Sequence, residues 1–405
     1  MYKGFYKKDI KTRKDLLKSD GKFDERLNQP LDVSVYDHMI ENAIGVFEVP
    51  LGVVPELKIN DKVFAIPMAT EESSVIAALN HGSKIVNMNG GVSSTVISTL
   101  LRGEVIIANP KDIGHLKICL KDEVSLLEVA QKAHPSIVRR GGGVKKFGIR
   151  TLLDQEDTFV ILDVFMDTQE AMGANMMNTV LEKLAHYIET KTGETVLMAI
   201  LSNLSPESIV KASVSIDPKT LKFSEKTAKN IALSSKLTDL DRYRCATHNK
   251  GVMNGIDAVV LASGNDTRAI NANIYSYLPN QPMTRWSYQD GFLKGDIEIP
   301  LTVGSVGGAV SIHNKAQLFK KISGYQNKAD LMHMIAAVGL TQNFAALYAL
   351  NTDGIQKGHM SLHAKNILIG LNCPSELLEI ATQRLLNEAH INTESAQSIL
   401  KDLLK

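Results

Sequence analysis

The chain has 405 residues, more than one hydrophobic core usually serves, so two or three packed units are expected. Forty-five Lys and Arg stand against 44 Asp and Glu, a formal net charge of +1, which provides no global field for nucleic acid. Three scattered cysteines, Cys119, Cys245 and Cys373, exclude a disulfide framework and a cysteine-rich zinc site, and suit a reducing cytoplasm. No apolar run reaches the roughly 18–20 residues that span a bilayer, and the basic N-terminal segment has no apolar stretch of a signal peptide. A cytoplasmic location without membrane or nucleic-acid partners is therefore expected.

The basic cluster Lys3, Lys7, Lys8, Lys11, Arg13, Lys14 and Lys18 reads as a solvated N-terminal segment. Glu71 and Glu72 precede the apolar run Ser74–Leu79. A glutamate there is ordinarily a surface residue favoured by the helix dipole, but one drawn into low dielectric would have a raised pKa and could donate a proton near neutral pH. Between residues 98 and 207 the pattern changes. Glu104–Asn109, Lys146–Leu153, Phe159–Met166 and Thr195–Leu201 read as strands; Val124–Ala133 and Met176–Lys191 have helical spacing. The order is β-α-β-β-α-β, a ferredoxin-like unit with one antiparallel sheet and both helices on one face.

That unit interrupts a larger mixed α/β domain, formed by residues 1–97 and 208–352 around a buried central helix, Leu331–Leu350. The fold class is α+β. Residues 353–405 add a small helical C-terminal domain, in which Ser375 is expected to cap a helix.

Within 246–268, Lys250 reads as part of a Gly- and Asn-punctuated loop, and Asp266 follows an apolar segment beside Gly264. A cation and a carboxylate flanking one buried element can meet in a cleft and stabilise a developing oxyanion; equally, both can be solvated loop residues. Gly141–Gly143 after Arg139 and Arg140 suits a phosphate, or a flexible turn. Ala171–Asn175 opens a helix soon after a strand, a second place for backbone amides to face a phosphate. Neither is a G-x-G-x-x-G fingerprint. Thr302–Ala309 reads as a tight glycine-rich corner. His359 and His363 have metal-ligand spacing, but with no third ligand no metal is expected.

The blocks Glu41–Gly45, Glu71–Ser74, Arg140–Gly143, Ala171–Asn175, Leu201–Leu204, 246–268, Val306–Gly308, Val338–Asn343 and Gly358–Met360 together resemble class II 3-hydroxy-3-methylglutaryl-coenzyme A reductases. The resemblance implies a four-electron reduction of the hydroxymethylglutaryl thioester to mevalonate and free coenzyme A, with Glu72, Lys250, Asp266 and His359 as catalytic residues. It places Ser74, Arg244, Asn203 and Leu350 against the substrate, and His134, Arg139, Arg140, Gly142, Glu170, Met172, Gly173 and Asn175 against the dinucleotide. It also implies a homodimer or higher even oligomer. Two departures stand out: Ser73 replaces the common proline, and Glu170 a common aspartate. His134 occupies the position where NAD-preferring members carry an aspartate, and with Arg139 or Arg140 it could accept a 2′-phosphate. NADPH preference follows, with NADH as a weaker substitute. The alternative is another coenzyme A thioester enzyme without net hydride transfer.

Overall fold

A computed structural model describes every residue except Met1, Lys3, Asp353, Ile355 and Lys405, and all side chains of those described except Tyr6, Gln356–His359, Ser361 and Leu362. Two short helices, α1 (Ile10–Ser19) and α2 (Val33–Met39), precede the antiparallel hairpin β1 (Leu51–Ile59) and β2 (Lys62–Ala69). Asn60 and Asp61 turn that hairpin, both at positive φ (46° and 65°), as a tight two-residue connection needs. Then come α3 (Val75–Met88), β3 (Ser93–Val96) and β4 (Leu100–Ala108). Helices α4 (Ile113–Lys121), α5 (Glu123–Ala133) and α6 (Pro135–Arg139) lead to strands β5 (Gly143–Leu153) and β6 (Thr158–Asp167). Helix α7 (Ala174–Thr192) and strands β7 (Val196–Leu201) and β8 (Ile209–Ile216) follow.

The second half opens with three helices, α8 (Ser224–Leu240), α9 (Arg242–Ala262) and α10 (Thr267–Tyr277), and the hairpin β9 (Thr284–Gln289) and β10 (Phe292–Pro300). It closes with α11 (Gly308–Ile312), α12 (Asn314–Ser323), α13 (Lys328–Leu350), α14 (Gln356–Gly370), α15 (Leu378–Leu386) and α16 (Thr393–Leu403). Ser375 does not cap a helix: α15 starts three residues later, and the Ser375 hydroxyl donates to Glu376. No helix among the described residues is long and apolar enough to cross a membrane.

Strands β5-β6-β4-β7 form one antiparallel sheet, and apolar side chains of α4, α5 and α7 pack with its strands into a single core. Asp163 on β6 lies in a charged lattice instead: it accepts from Arg150 Nε at 2.6 Å and lies 3.6 Å from Arg102 Nη1, while Arg102 also pairs with Glu207 at 2.6 Å. The main core is built on a second sheet, β3-β8-β10-β9, and on α13, which is buried on nearly every side. A third apolar cluster joins α14, α15 and α16.

Helix α9 lies directly on α13, because a Cβ on Gly255 would sit 2.9 Å from Gln342 Cβ and force the two axes apart. Buried polar groups fix this contact. His248 Nε2 donates to Thr284 Oγ1 at 2.7 Å, Thr284 donates to Asn343 Oδ1 at 2.8 Å, and Asn343 Nδ2 faces His248 Nδ1 at 3.3 Å. Trp286 Nε1 also donates to Asn343 Oδ1, at 2.9 Å. Thr284 has only one proton and gives it to Asn343, so the imidazole must be the neutral Nε2–H tautomer. Burial pushes its pKa down to about 4.

Leu340→Ala, at a fully buried site on α13, should cost about 2–5 kcal/mol in urea unfolding, against about 0.5 kcal/mol or less for Leu240→Ala at an exposed site. The neutral His248 contributes stability that is complete above the unfolded pKa of about 6.5 and is lost as pH falls towards its folded value of about 4. Across that window the protein should lose roughly 2–3 kcal/mol more than a His248→Gln variant, read from unfolding curves at each pH.

Candidate functional site

Glu72 lies in the turn between β2 and α3, where its N–H donates to Thr70 Oγ1 at 3.1 Å. Two residues on, Ser74 opens α3 from a left-handed conformation (φ 74°), its hydroxyl buried without a hydrogen-bond partner among the described residues. Opposite this turn runs α9. Lys250 belongs to that helix, not to the loop expected from its Gly and Asn neighbours, because the core contacts of Val252, Met253 and Ile256 override local propensity. On the helix, Lys250, Asn254 and Asp257 fall on one face at i, i+4 and i+7.

The Lys250 ammonium makes a short ion pair with Glu72 Oε2, and Asn254 Nδ2 donates to Glu72 Oε1 at 3.3 Å. Glu72 is therefore defined by its cation and its amide partner, not by burial; the two charged side chains are 58% and 38% exposed, at the edge of an open cleft. The cleft, about 510 Å³, is lined by Thr70, Glu71, Glu72, Asn254, Asp257, Thr267, Arg268 and Asn271 among others. Burial raises the Asp257 carboxyl above its ordinary range, against the opposing hydrogen bond from Asn271 Nδ2 at 2.7 Å.

Asp266 does not join the pair within one chain. It caps α10, accepting from the N–H groups of Arg268 and Ala269 at 2.9 and 3.2 Å, and pairs with the Arg268 guanidinium at 3.1 Å. Burial works to raise its carboxyl, but those donors outweigh it and hold it below the usual carboxylate range. Arg244 lies six residues before Lys250, about 240° around α9 and so on another face. Asn203 is exposed between β7 and β8, and Leu350 ends α13, about half exposed. Among the described residues, no hydrogen bond or ion pair links these three to Lys250 or Glu72. The backbone of His359 lies in α14; its side chain is outside the described residues.

The residues expected against the dinucleotide converge from two sides. Gly141 and Gly143 adopt positive φ (85° and 94°), and a Cβ on Gly142 would meet Asp167 O at 2.6 Å, so the glycine turn lies against the end of β6. His134 Nδ1 is 3.1 Å from Ser136 Oγ, and Arg140 Nε donates to Ser136 O at 3.2 Å, which places the imidazole and the guanidinium around one serine. Arg139 ends α6, exposed. From the other side come Met172, Gly173 at the N-cap of α7, and exposed Asn175 in its first turn. Glu170 faces the main core, where its carboxylate accepts from Ser305 Oγ and from the N–H of Lys328.

Sequence reasoning missed Asn254, Asp257 and Ser136. The first two follow from Lys250 by helical spacing, a signal hidden once the segment was read as a loop; Ser136 carried no signal beyond its place between His134 and Arg139.

The model of the family described as "Hydroxymethylglutaryl-coenzyme A reductase" matches residues 9–364. The 3-hydroxy-3-methylglutaryl-coenzyme A reductase of Archaeoglobus fulgidus is 37% identical over 99% of this chain and 94% of its own. A probable reductase of the same name from Borreliella burgdorferi is 36% identical over 87% of this chain and 82% of its own. The reductase structure from Streptococcus pneumoniae superposes with a TM-score of 0.84 at 35% identity, covering 100% of both chains. A class II structure from the same organism, bound to NADPH in open conformations, gives 0.81 at 36% identity over 86% of this chain and 99% of that one. With its core elements, its Lys250–Glu72 pair and most of its length matched in this way, the chain belongs to the hydroxymethylglutaryl-coenzyme A reductase family.

Proposed function

We propose that this protein reduces 3-hydroxy-3-methylglutaryl-coenzyme A to mevalonate and free coenzyme A, consuming two NADPH in succession, as a step of isoprenoid synthesis. The observation that carries the reading is the Lys250–Glu72 ion pair at the cleft, held by Asn254, in a chain of this family.

The chemistry follows from the pair. When bound, the nicotinamide supplies the hydrides. Negative charge arriving on the substrate oxygen is met by the Lys250 ammonium, a donor fixed on a rigid helix and so needing little reorganisation. As the ion-pair partner of Lys250, Glu72 is a carboxylate, so it takes up a proton at the open edge of the cleft before delivering it to that oxygen, while Lys250 keeps its charge. His359 protonates the departing thiolate; a thiol with a pKa of about 8.5 would otherwise remain partly ionised and re-add to the aldehyde. Ser74, Arg244, Asn203 and Leu350 hold the thioester in this reading, and the Ser74 hydroxyl, buried without a partner among the described residues, is open to a ligand oxygen. The other reading, a thioester enzyme without hydride transfer, needs a reactive nucleophile; burial pushes the Cys245 thiol up and leaves the side chain only 3% exposed.

Residues 98–207 are read as a ferredoxin-like dinucleotide-binding domain, 1–97 with 208–352 as the substrate domain, and 353–405 as a helical flap. The strand order β5-β6-β4-β7 with its helices supports the first assignment. The glycine turn, the α7 N-terminus and the His134–Ser136–Arg140 group suit a phosphorylated dinucleotide, and the Arg140 guanidinium favours a 2′-phosphate. A homodimer is part of this reading. Asp266 is turned to Arg268 within its own chain, so in this reading the site is completed where two copies meet.

Purified protein should oxidise two equivalents of NADPH per thioester and release mevalonate, identified by mass; thioester turnover without NADPH loss would defeat the assignment. Lys250→Ala should lower kcat about 10²–10³-fold with an unchanged circular dichroism spectrum, the size expected for one oxyanion-stabilising group. The ratio of kcat/KM for NADPH to that for NADH should exceed one; a clear preference for NADH removes the role given to His134 and Arg140.

A further inference from the structure

Lys328 opens α13 and is 5% exposed; among the described residues no other lysine or arginine is so deeply buried. A buried ammonium is costly unless it is well partnered. Burial lowers its pKa to about 8, against the opposing pull of Asp167 and Glu170. The partners lie at the seam between the main core and the 98–207 unit. Lys328 Nζ donates to Thr168 Oγ1 at 3.1 Å, and its backbone N–H donates to Glu170 Oε2 at 2.7 Å.

An ammonium has no lone pair to accept with, so Thr168 must direct its own proton elsewhere. It donates to Ala171 O at 2.7 Å, with Met172 O at 3.2 Å. In a trans peptide the carbonyl and the following N–H point in opposite directions. Drawing the Met172 carbonyl towards Thr168 therefore turns the Gly173 N–H, at the N-cap of α7, to the far side. The fit is close: a Cβ on Gly173 would lie 2.2 Å from Thr168 Cγ2. The same loop is tied to the main core by Ser305, whose N–H donates to Glu170 O at 2.8 Å.

We propose that Lys328 is a positioning residue for the dinucleotide: its ammonium, acting through the Thr168 hydroxyl, orients the Ala171–Asn175 turn and fastens it to α13. The proposal rests on the reading that this turn holds NADPH. Lys328 touches neither cofactor nor substrate, so its removal weakens dinucleotide binding and spares the thioester.

The test compares the parent protein with Lys328→Met, Thr168→Val, the double variant and Thr168→Ser. NADPH affinity is measured by fluorescence titration without thioester, and thioester KM at saturating NADPH. Lys328→Met and Thr168→Val should each raise the NADPH Kd about tenfold, the loss expected for one charge-assisted hydrogen bond. The double variant should be no worse than the weaker single, because the two act in one relay. Thr168→Ser, which keeps the hydroxyl, should stay within about twofold of the parent, and thioester KM should likewise hold within about twofold. Variants that bind NADPH as the parent does, additive losses, or an equal loss in thioester KM overturn the proposal. Should Lys328→Met fail to fold, the Thr168 pair decides: loss in Val with rescue in Ser supports the relay, and equal behaviour of Val and Ser overturns it. A parent protein that binds no dinucleotide overturns the cofactor reading as well, whereas a binding parent with unaffected variants overturns only the role of Lys328.

Discussion

The Lys250–Glu72 pair depends on a helix that serves two environments. One side of α9 is packed into the main core through Val252, Met253, Ile256 and Val259; the opposite stripe presents Asn254 and Asp257 to a cleft and Lys250 to Glu72 at its edge. Because α9 is held on α13 by the buried His248–Thr284–Asn343 network, Lys250 meets Glu72 from a fixed base. Preorganisation of this kind is what makes one ammonium effective, since a donor that must move to its target loses part of what it contributes. The pair couples two remote parts of the chain, the β2–α3 turn and the middle of α9, and the sheet and α13 keep them in register.

Much of this was legible in the sequence where periodicity is strong. The four strands and two longest helices between residues 98 and 207 follow their apolar patterns closely, although α4 and α6 beside α5 escaped that reading, and Leu331–Leu350 reads as buried because it lacks a polar face. The sequence misleads where tertiary packing overrules local propensity. Gly251, Asn254 and Gly255 look like loop punctuation, yet they lie inside a 21-residue helix, because that helix gains more from close contact with α13 than it loses in propensity. The catalytic role proposed for Lys250 rests on resemblance; its partnership with Glu72, 178 positions away, needed the fold. Asp266 shows the reverse limit. Its place near the cleft was inferred from sequence proximity, but its carboxylate serves as a helix cap, a use that Asp followed by Thr and Arg permits equally well.

The seam between the two larger cores is polar as well as apolar. Glu170, Thr168, Ser305 and Lys328 exchange hydrogen bonds across it, and the glycine turn at 141–143 abuts the same strand end from the other side. Directional bonds fix the orientation of a loop more sharply than apolar contact does, because their strength falls steeply with angle. A turn held by them keeps its aim even where the surrounding surface is open.

Gly255 carries no charge and no reactive atom, yet its missing methyl sets the spacing between α9 and α13. A helix behaves as a stiff rod over so short a distance, so a wedge inserted there would tilt the whole lever and carry the ammonium at Lys250, little more than a turn away, with it. Reactivity would fade through misalignment while every chemically active group remained in place. The most consequential position for the reaction can thus be one occupied by a hydrogen atom.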